Sequence, residues 1–429
     1  MISSSTSTSD NRKPVGAARS PARPPAPSAR TGGLLVVLGA LTAVAPLATD
    51  MYVPGFPTMG SALHTGSSAI QLTMTAFLVG LVVGQLLLGP LSDSLGRRRP
   101  LLAGATAFVV FSLLCAVAPN VYLLVAARFL QGVAGAVGMV LARAVITDRF
   151  AGPDIPRYFA VLSQILGVAP VAAPVLGGAI LAVSTWRAVF GVLTLIGVLL
   201  LLGVLTKVPE SLPPERRQGG GLSGTFRAMG RLMGNRPFMG YVLVLGTAAA
   251  ALFAYISGSS FVFEHIHGVS AGTYSLIFAL NAVGMLLAGT VFARLARRVR
   301  LNTLLAAGVA TAAAGALAQV IVTLAIGETF AGSWITLCVV LCGIGMIFPA
   351  AMSLGQNLGR ATPGAASALL GGLQFLCGAI ASPLVGVFGE DSSLPMAAIM
   401  LASLALAVLA LLFLVRPRQA HGEVAAGAR

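Results

Sequence analysis

An α-helix needs about 20 consecutive apolar residues to cross a bilayer, and this 429-residue chain holds twelve runs of that kind. They fall at residues 33–59, 69–91, 101–118, 122–147, 159–183, 188–206, 238–263, 273–293, 301–326, 334–354, 365–388 and 395–415. In hydrocarbon the backbone must satisfy its own N–H and C=O groups, so a chain crosses as helices or as a closed barrel. Runs this long, without the alternation of a strand, are helices. The expected fold class is an all-α membrane protein with 12 transmembrane helices. Composition agrees: 57% of residues are hydrophobic and 9% charged, against roughly a quarter charged in a soluble domain.

Charge placement sets the expected orientation. Of the 27 Lys and Arg residues, 24 lie in the tails and in alternate loops that share one side. Short basic loops stay in the cytoplasm, so both termini are expected there, in the cytoplasmic (plasma) membrane. The excess of Arg over Lys suits a bacterium with a GC-rich genome. Despite the net charge of +15, no single face gathers the cations, and no nucleic acid partner is expected. Cys115, Cys338, Cys342 and Cys377 sit inside apolar runs, where a thiol acts as a small hydrophobe. Neither disulfides nor a metal site is expected.

The basic, Ser-, Thr- and Pro-rich residues 1–32 cannot bury enough apolar surface to fold and read as a disordered cytoplasmic tail; 416–429 form a second tail. Residues 207–237, with Pro213, Pro214 and Gly219 to Gly221, read as a mobile cytoplasmic connector. Six spans lie on either side of it, in 33–206 and 238–415. At an offset of 200 residues, 8 of the 16 positions from Val83 to Arg98 recur between Val283 and Arg298, each time at the end of the second span of a half. Duplication implies two parallel six-helix halves with a substrate site between them near the midplane. Chance matching among Gly, Leu and Val is the other explanation.

The second span ends in Gly89-Pro90-Leu91-Ser92-Asp93-Ser94-Leu95-Gly96-Arg97-Arg98-Arg99. Gly89 and Pro90 are expected to make a tight turn between helices, Asp93 to pair with an arginine or cap a helix, and Arg97, Arg98 and Arg99 to hold the loop at the inner leaflet. A plain basic loop is the simpler alternative, but Gly89, Asp93, Gly96, Arg97 and Arg98 at these spacings resemble the signature of the major facilitator superfamily. In the second half Ala293 and Ala296 replace Asp93 and Gly96, so a charged conformational latch is expected only in the first.

Arg128, in the fourth span, lies about 12 Å in from Asn120 at 1.5 Å per residue, too deep to be an interface anchor. Leaving it in hydrocarbon costs at least about 2.5 kcal/mol, so a polar cavity or a partner is expected around it, with snorkelling as the alternative. In the fifth span Gly167, Pro170, Pro174 and Gly178 share one helical face. The stretch Gly167 to Gly178, with Gly177 beside it, resembles the antiporter motif of drug-exporting major facilitators, with Ala173 where many of those have Gly. Ordinary helix packing would also use such residues.

The first span holds Asp50, the one acid well inside an apolar run. If that helix continues to residue 59, Asp50 lies about 13 Å from its outer end, at the estimated depth of Arg128. Low dielectric favours the neutral form of a carboxyl and a nearby cation favours the charged form, so Asp50 and Arg128 are candidates for proton coupling. The alternatives are a cap at a helix break near Pro54 or a fixed ion pair. Candidate cavity residues are Asp50, Tyr52, Gln131, Tyr255, Asn281 and Gln374; residues of the last five kinds serve more often as packing than as ligand contacts in membrane helices.

Leu47 to Pro57 and Gly138 to Phe150, together with the motifs above, resemble the Bcr/CflA drug-resistance subfamily of major facilitator proton antiporters. The resemblance implies the major facilitator fold, export of small, mostly apolar antibiotics such as bicyclomycin or chloramphenicol, and a proton gradient as energy source with no cofactor. Its implied partners are a small-molecule drug, protons and the lipid bilayer, with the chain acting as a monomer. Related exporters can carry a second acid in the first helix; here there is only Asp50. No phosphate-binding Gly-rich loop or catalytic Ser and His arrangement is present, which argues against an ATP-driven pump or an enzyme. A proton-coupled metabolite transporter, importing or exporting, and a non-transporting membrane sensor remain the alternatives.

Overall fold

The computed structural model describes residues 29–150, 154–217, 222–387 and 392–423. Most of the expected N-terminal tail, the middle of the connector and residues 424–429 lie outside it. Among the described residues the helices are α1 (Ala29–Asp50), α2 (Phe56–Ala62), α3 (Ser67–Leu95), α4 (Arg98–Ala116), α5 (Val121–Arg149), α6 (Asp154–Val183), α7 (Trp186–Lys207), α8 (Leu222–Met233), α9 (Arg236–Ser260), α10 (Ala271–Leu295), α11 (Leu301–Ala325), α12 (Phe330–Leu358), α13 (Pro363–Val387) and α14 (Leu394–Ala410). These make 12 segments long and apolar enough to cross a membrane, α1 and α2 together forming the first. An even number of spans puts the two ends of the described chain, near Ala29 and Glu423, on one side, called the terminal side; the opposite face is the far side.

Three expectations need correction. The first span is not one helix: α1 stops at Asp50, a 3₁₀ turn covers Val53–Gly55, and α2 begins at Phe56. The cause is in the sequence, because Pro54 has no N–H to donate to the Asp50 carbonyl and Pro57 none for Val53. Nor do Gly89 and Pro90 form a turn, since α3 runs through them to Leu95. The chain reverses instead at Gly96, whose φ of +88° suits a residue without a side chain, and Asp93 pairs with Arg97 across that reversal. The connector, finally, is not all loop. It carries α8, an amphipathic helix with Met229 buried, Phe226 exposed and Arg227 and Arg231 on its length.

Packing makes the duplication visible. In the first half α1 packs on α6, α3 on α5, and α4 on α5 and α7; in the second, α9 packs on α13, α10 on α12, and α11 on α12 and α14. Each pairing has a counterpart at the equivalent place. The halves meet along a seam where α3 lies against α13 and α6 against α10. Hydrogen bonds cross it from Gln71 Nε2 to the Ser257 carbonyl (3.2 Å), from Gly386 N to Gln71 Oε1 (2.8 Å) and from Thr75 Oγ1 to the Ala379 carbonyl (3.0 Å). All three lie toward the far-side ends of α3 and α13, and Phe56 meets Phe261 there at 6.3 Å between ring centroids. The seam is therefore closed on the far side.

Close approach inside the first half depends on two glycines. A Cβ on Gly132 of α5 would collide with the Phe77 carbonyl of α3, and one on Gly80 with the Phe129 carbonyl. Gly132→Leu should consequently lower the thermal midpoint of the detergent-solubilised protein, by an overpacking cost of about 1–3 kcal/mol or more. An unchanged midpoint would contradict the backbone contact.

Candidate functional site

Asp50 is the last residue of α1 and 4% exposed. Pro46 sits one turn before it, and Thr49 Oγ1 donates back to the carbonyls of Ala45 (3.1 Å) and Pro46 (3.0 Å), which bends a helix end. Its Oδ1 is enclosed with no hydrogen-bond partner. The break that follows Asp50 packs against α6, α9 and α10, so it lies on the seam. Tyr255 of α9 and Tyr274 of α10 are buried on the two second-half helices that meet this break.

Arg128 is fully buried, yet it does not pair with Asp50. Its guanidinium lies between rings, with Cζ 4.2 Å from the Phe77 centroid, 4.3 Å from Tyr52 and 5.7 Å from Phe190. Desolvated contacts of this kind are each worth up to about 2 kcal/mol. Nη1 donates to Gln131 Oε1 at 2.7 Å, and Gln131 Nε2 donates to Ser112 Oγ at 2.8 Å, while Nε and Nη2 are enclosed without acceptors. The charge is thus housed inside the first half. Tyr52 bridges the two: its ring covers Arg128, its hydroxyl is 3.1 Å from Thr73 Oγ1, and its backbone follows Asp50 by two residues.

A second cluster occupies the other half. Asn281 Nδ2 donates to Tyr255 Oη (3.1 Å), Trp334 Nε1 donates to Asn281 Oδ1 (3.1 Å), and Tyr255 packs on Phe278. The candidate cavity residues therefore divide. Tyr52 and Gln131 join Arg128; Tyr255 and Asn281 join each other; Asp50 lies between the groups. Gln374 is half-buried on α13 and bonds to neither.

On the terminal side, Arg97 is buried and tied to Asp93 Oδ1 by Nη1 (2.7 Å) and to Asp148 Oδ2 by Nε (2.9 Å). Sequence reasoning overlooked the carboxyl that completes this arrangement. Glu210, just beyond α7, accepts from the backbone N–H groups of Arg97 (2.8 Å), Arg98 (3.3 Å), Ser211 (3.0 Å) and Leu212 (3.0 Å), and Ser211 Oγ donates to Asp148. The only hint was an acid at the start of a basic connector. A Cβ on Gly96 would strike Glu210. The second half has its own clasp: Glu423 Oε1 accepts from Asn302 N (3.1 Å) and Nδ2 (3.0 Å), and Tyr241 Oη donates to Asn302 Oδ1 (2.7 Å). Glu210 and Glu423 each follow the last span of a half and each hold the start of its third.

Gly177 and Gly178 of α6 are where the first half's α6 touches both the break and the seam. A Cβ on Gly177 would strike the Met51 carbonyl; one on Gly178 would strike Ser275 of α10. Gly167 approaches Leu286 of α10, while Pro170 and Pro174 lie inside the helix. Small residues thus let α6 lie close to α10 along the seam.

Residues 38–382 match the family model described as Major Facilitator Superfamily. An uncharacterized MFS-type transporter, YdgK of Bacillus subtilis (strain 168), is 39% identical over 90% of this chain and 96% of its own. A bicyclomycin resistance protein homolog of Haemophilus influenzae is 29% identical over 89% and 95%. The multidrug resistance protein MdtL of Escherichia coli is 26% identical over 91% and 98%. Among solved structures, a D-xylose-proton symporter superposes with a TM-score of 0.73 at 16% identity, covering 92% of this chain and 99% of that one. A bacterial homolog of the lysosomal transporter Spinster, inward-facing and unoccupied, gives 0.73 at 14% identity, covering 92% and 98%.

The terminal-side latch has a pH signature. Partial burial pushes the Glu210 carboxyl up, but the N–H groups of Leu212, Arg97, Arg98 and Ser211 outweigh it and hold the group below the usual glutamate range. A lowered value means that its contribution is complete above the ordinary range and is lost as pH falls through the lowered one. The thermal midpoint of the wild type should therefore fall more steeply on acidification below about pH 4.5 than that of Glu210→Gln. Parallel curves would contradict the latch.

Proposed function

Because the chain belongs to the Major Facilitator Superfamily, we propose that it exports small, mostly apolar antibiotics from a bacterial cytoplasm in exchange for protons. Export proceeds by alternating access, and Asp50 carries the proton. The observation that supports this reading best is the position of Asp50: a lone carboxyl at a helix break, on the seam between the halves, with one oxygen left without a partner. Rocking the halves changes which side wets the seam, and with it the solvation of this carboxyl. Solvation is the main lever on a carboxyl's proton affinity, so drug and proton can occupy the seam by turns.

Arg128 acts through Tyr52 on the same break, which gives it a part in coupling without an ion pair. Tyr52 and Gln131 from one half, and Tyr255, Asn281 and Gln374 from the other, line the drug path once the seam opens. Gly89, Asp93, Gly96, Arg97 and Arg98 with Glu210 form the latch that steadies the first half, and the face of Gly167, Pro170, Pro174, Gly177 and Gly178 is the sliding surface against α10. Both termini lie in the cytoplasm of a monomer that sits in the bacterial cytoplasmic membrane, a reading that the basic loops support. No cofactor is required: inward movement of one charge releases about 2.3 kcal/mol per 100 mV. The relatives named for bicyclomycin and multidrug resistance support the drug class.

Two experiments test this. In inverted vesicles energised by a pH gradient, the wild type should accumulate an antibiotic chosen by a growth-inhibition panel, and Asp50→Asn should abolish accumulation while remaining inserted. Accumulation by Asp50→Asn at the wild-type rate would refute the assignment, and flux in the opposite direction would refute export. Separately, Arg128→Ala should lose transport while Arg298→Ala, in the loop before α11, retains most of it. Equal losses would remove the special role of Arg128.

A further inference from the structure

Cys338 and Cys342 are one helical turn apart on α12, so both thiols stand on one face of that helix. Both are free and partly exposed. The face they share is turned to α10: a Cβ built on Gly284 would meet the Cys338 Sγ and the Cys342 Sγ, each at 3.5 Å, and among the described residues no other atom of a neighbouring element within 4 Å. The two sulfurs therefore look into one hollow that a missing side chain leaves open. Contacts on either side fix its width. Toward the far side Trp334 Nε1 donates to Asn281 Oδ1 at 3.1 Å; toward the terminal side the backbones close up, since a Cβ on Gly345 would strike the Met285 carbonyl.

The spacing decides what such a pair can hold. Side chains one turn apart on a helix have Cβ atoms about 5–6 Å apart, beyond the roughly 3.5–4.5 Å that a disulfide spans. The pair cannot close on itself without backbone movement, but it can close through one inserted atom. Among the described residues no three His, Cys, Asp or Glu side chains come together, so a structural zinc ion, which needs four donors, has no site. A trivalent arsenic that carries an organic group needs two sulfurs and no more, and soft thiol ligands suit it. Such a compound is neutral before and after it binds, which fits a bundle where an unpaired charge is costly.

We propose that Cys338 and Cys342, facing Gly284 across the α10–α12 contact, form a dithiol site for monosubstituted trivalent arsenicals. With an arsenoxide, two As–S bonds form, the As–O bond breaks, and the two thiol protons leave with that oxygen as water. Arsenic stays trivalent, each sulfur stays at the thiol level and no electrons change hands. The site lies one turn from the Asn281–Trp334 bridge, yet binding at it depends neither on Asp50 nor on which drug is carried, and its test needs no flux.

Phenylarsine oxide, added to the purified protein in detergent and followed by a wash with excess monothiol, tests this by intact mass. The wild type should keep one phenylarsenic group per chain with the loss of two hydrogens, and a small dithiol should strip it. An arsenic held by one sulfur exchanges with the free monothiol, whereas a second, tethered sulfur acts at high effective concentration. Cys338→Ser and Cys342→Ser should therefore each retain about a hundredfold less, while Cys377→Ser, on α13, retains the wild-type amount. Gly284→Ala keeps both thiols and puts its methyl group in ordinary contact with both sulfurs, so it should fold and label more slowly. Retention by either single variant at the wild-type level, no retention by the wild type, or labelling of Gly284→Ala at the wild-type rate would overturn the site.

Discussion

The acid and the base within the first four spans, Asp50 and Arg128, are kept apart by an aromatic box around the arginine, and the arrangement of the first half follows from that separation. An arginine in a membrane bundle must find a polar or aromatic environment. Here Phe77 from α3, Phe190 from α7 and Tyr52 from the break after α1 converge on it, with Gln131 as its one strong acceptor. Four elements are thereby pinned around one side chain. Because Arg128 is held inside the half by these rings and by Gln131, Asp50 lies apart from it on the seam, and Pro54 ensures that the chain breaks just there.

The halves behave as matched bodies because each repeats the same helix pairings and each is clasped on the terminal side. Glu210 holds the start of α4, and Glu423 the start of α11. A carboxylate at a helix start also meets the positive end of the helix dipole. On the proposed mechanism motion is concentrated at the seam, where small residues of α6 lie close to α10 and where Gln71 and Thr75 bond across to the second half. Those bonds lie toward the far side and the clasps on the terminal side, so on the proposed mechanism opening the far side breaks the former and leaves the latter in place.

Much of the fold was legible in the sequence. Twelve apolar runs, the repeat at an offset of 200 and the positions of Asp50 and Arg128 were all readable, because membrane helices announce themselves by length and because a charge inside one is rare. Less was readable where proline and glycine have more than one use. Pro90 reads as a turn but is carried inside α3; a break near Pro54 reads only as an alternative to a continuous first span, and there the helix does end. Pairing was not legible at all. Equal depth suggested that Arg128 would lie beside Asp50, yet depth says nothing of which face a side chain takes, and Phe77 and Phe190 gave no sign of their role. Glu210 and Glu423 act through backbone N–H groups, and such contacts leave almost no pattern in a sequence.

Proton release on drug binding bears most directly on the exchange of drug for proton at Asp50. Purified protein in weakly buffered detergent, mixed with chloramphenicol, should release about one proton per drug bound when the carboxyl starts protonated, and Asp50→Asn should bind without release. Binding by the wild type with no proton released at any pH between 5 and 9 would contradict the exchange.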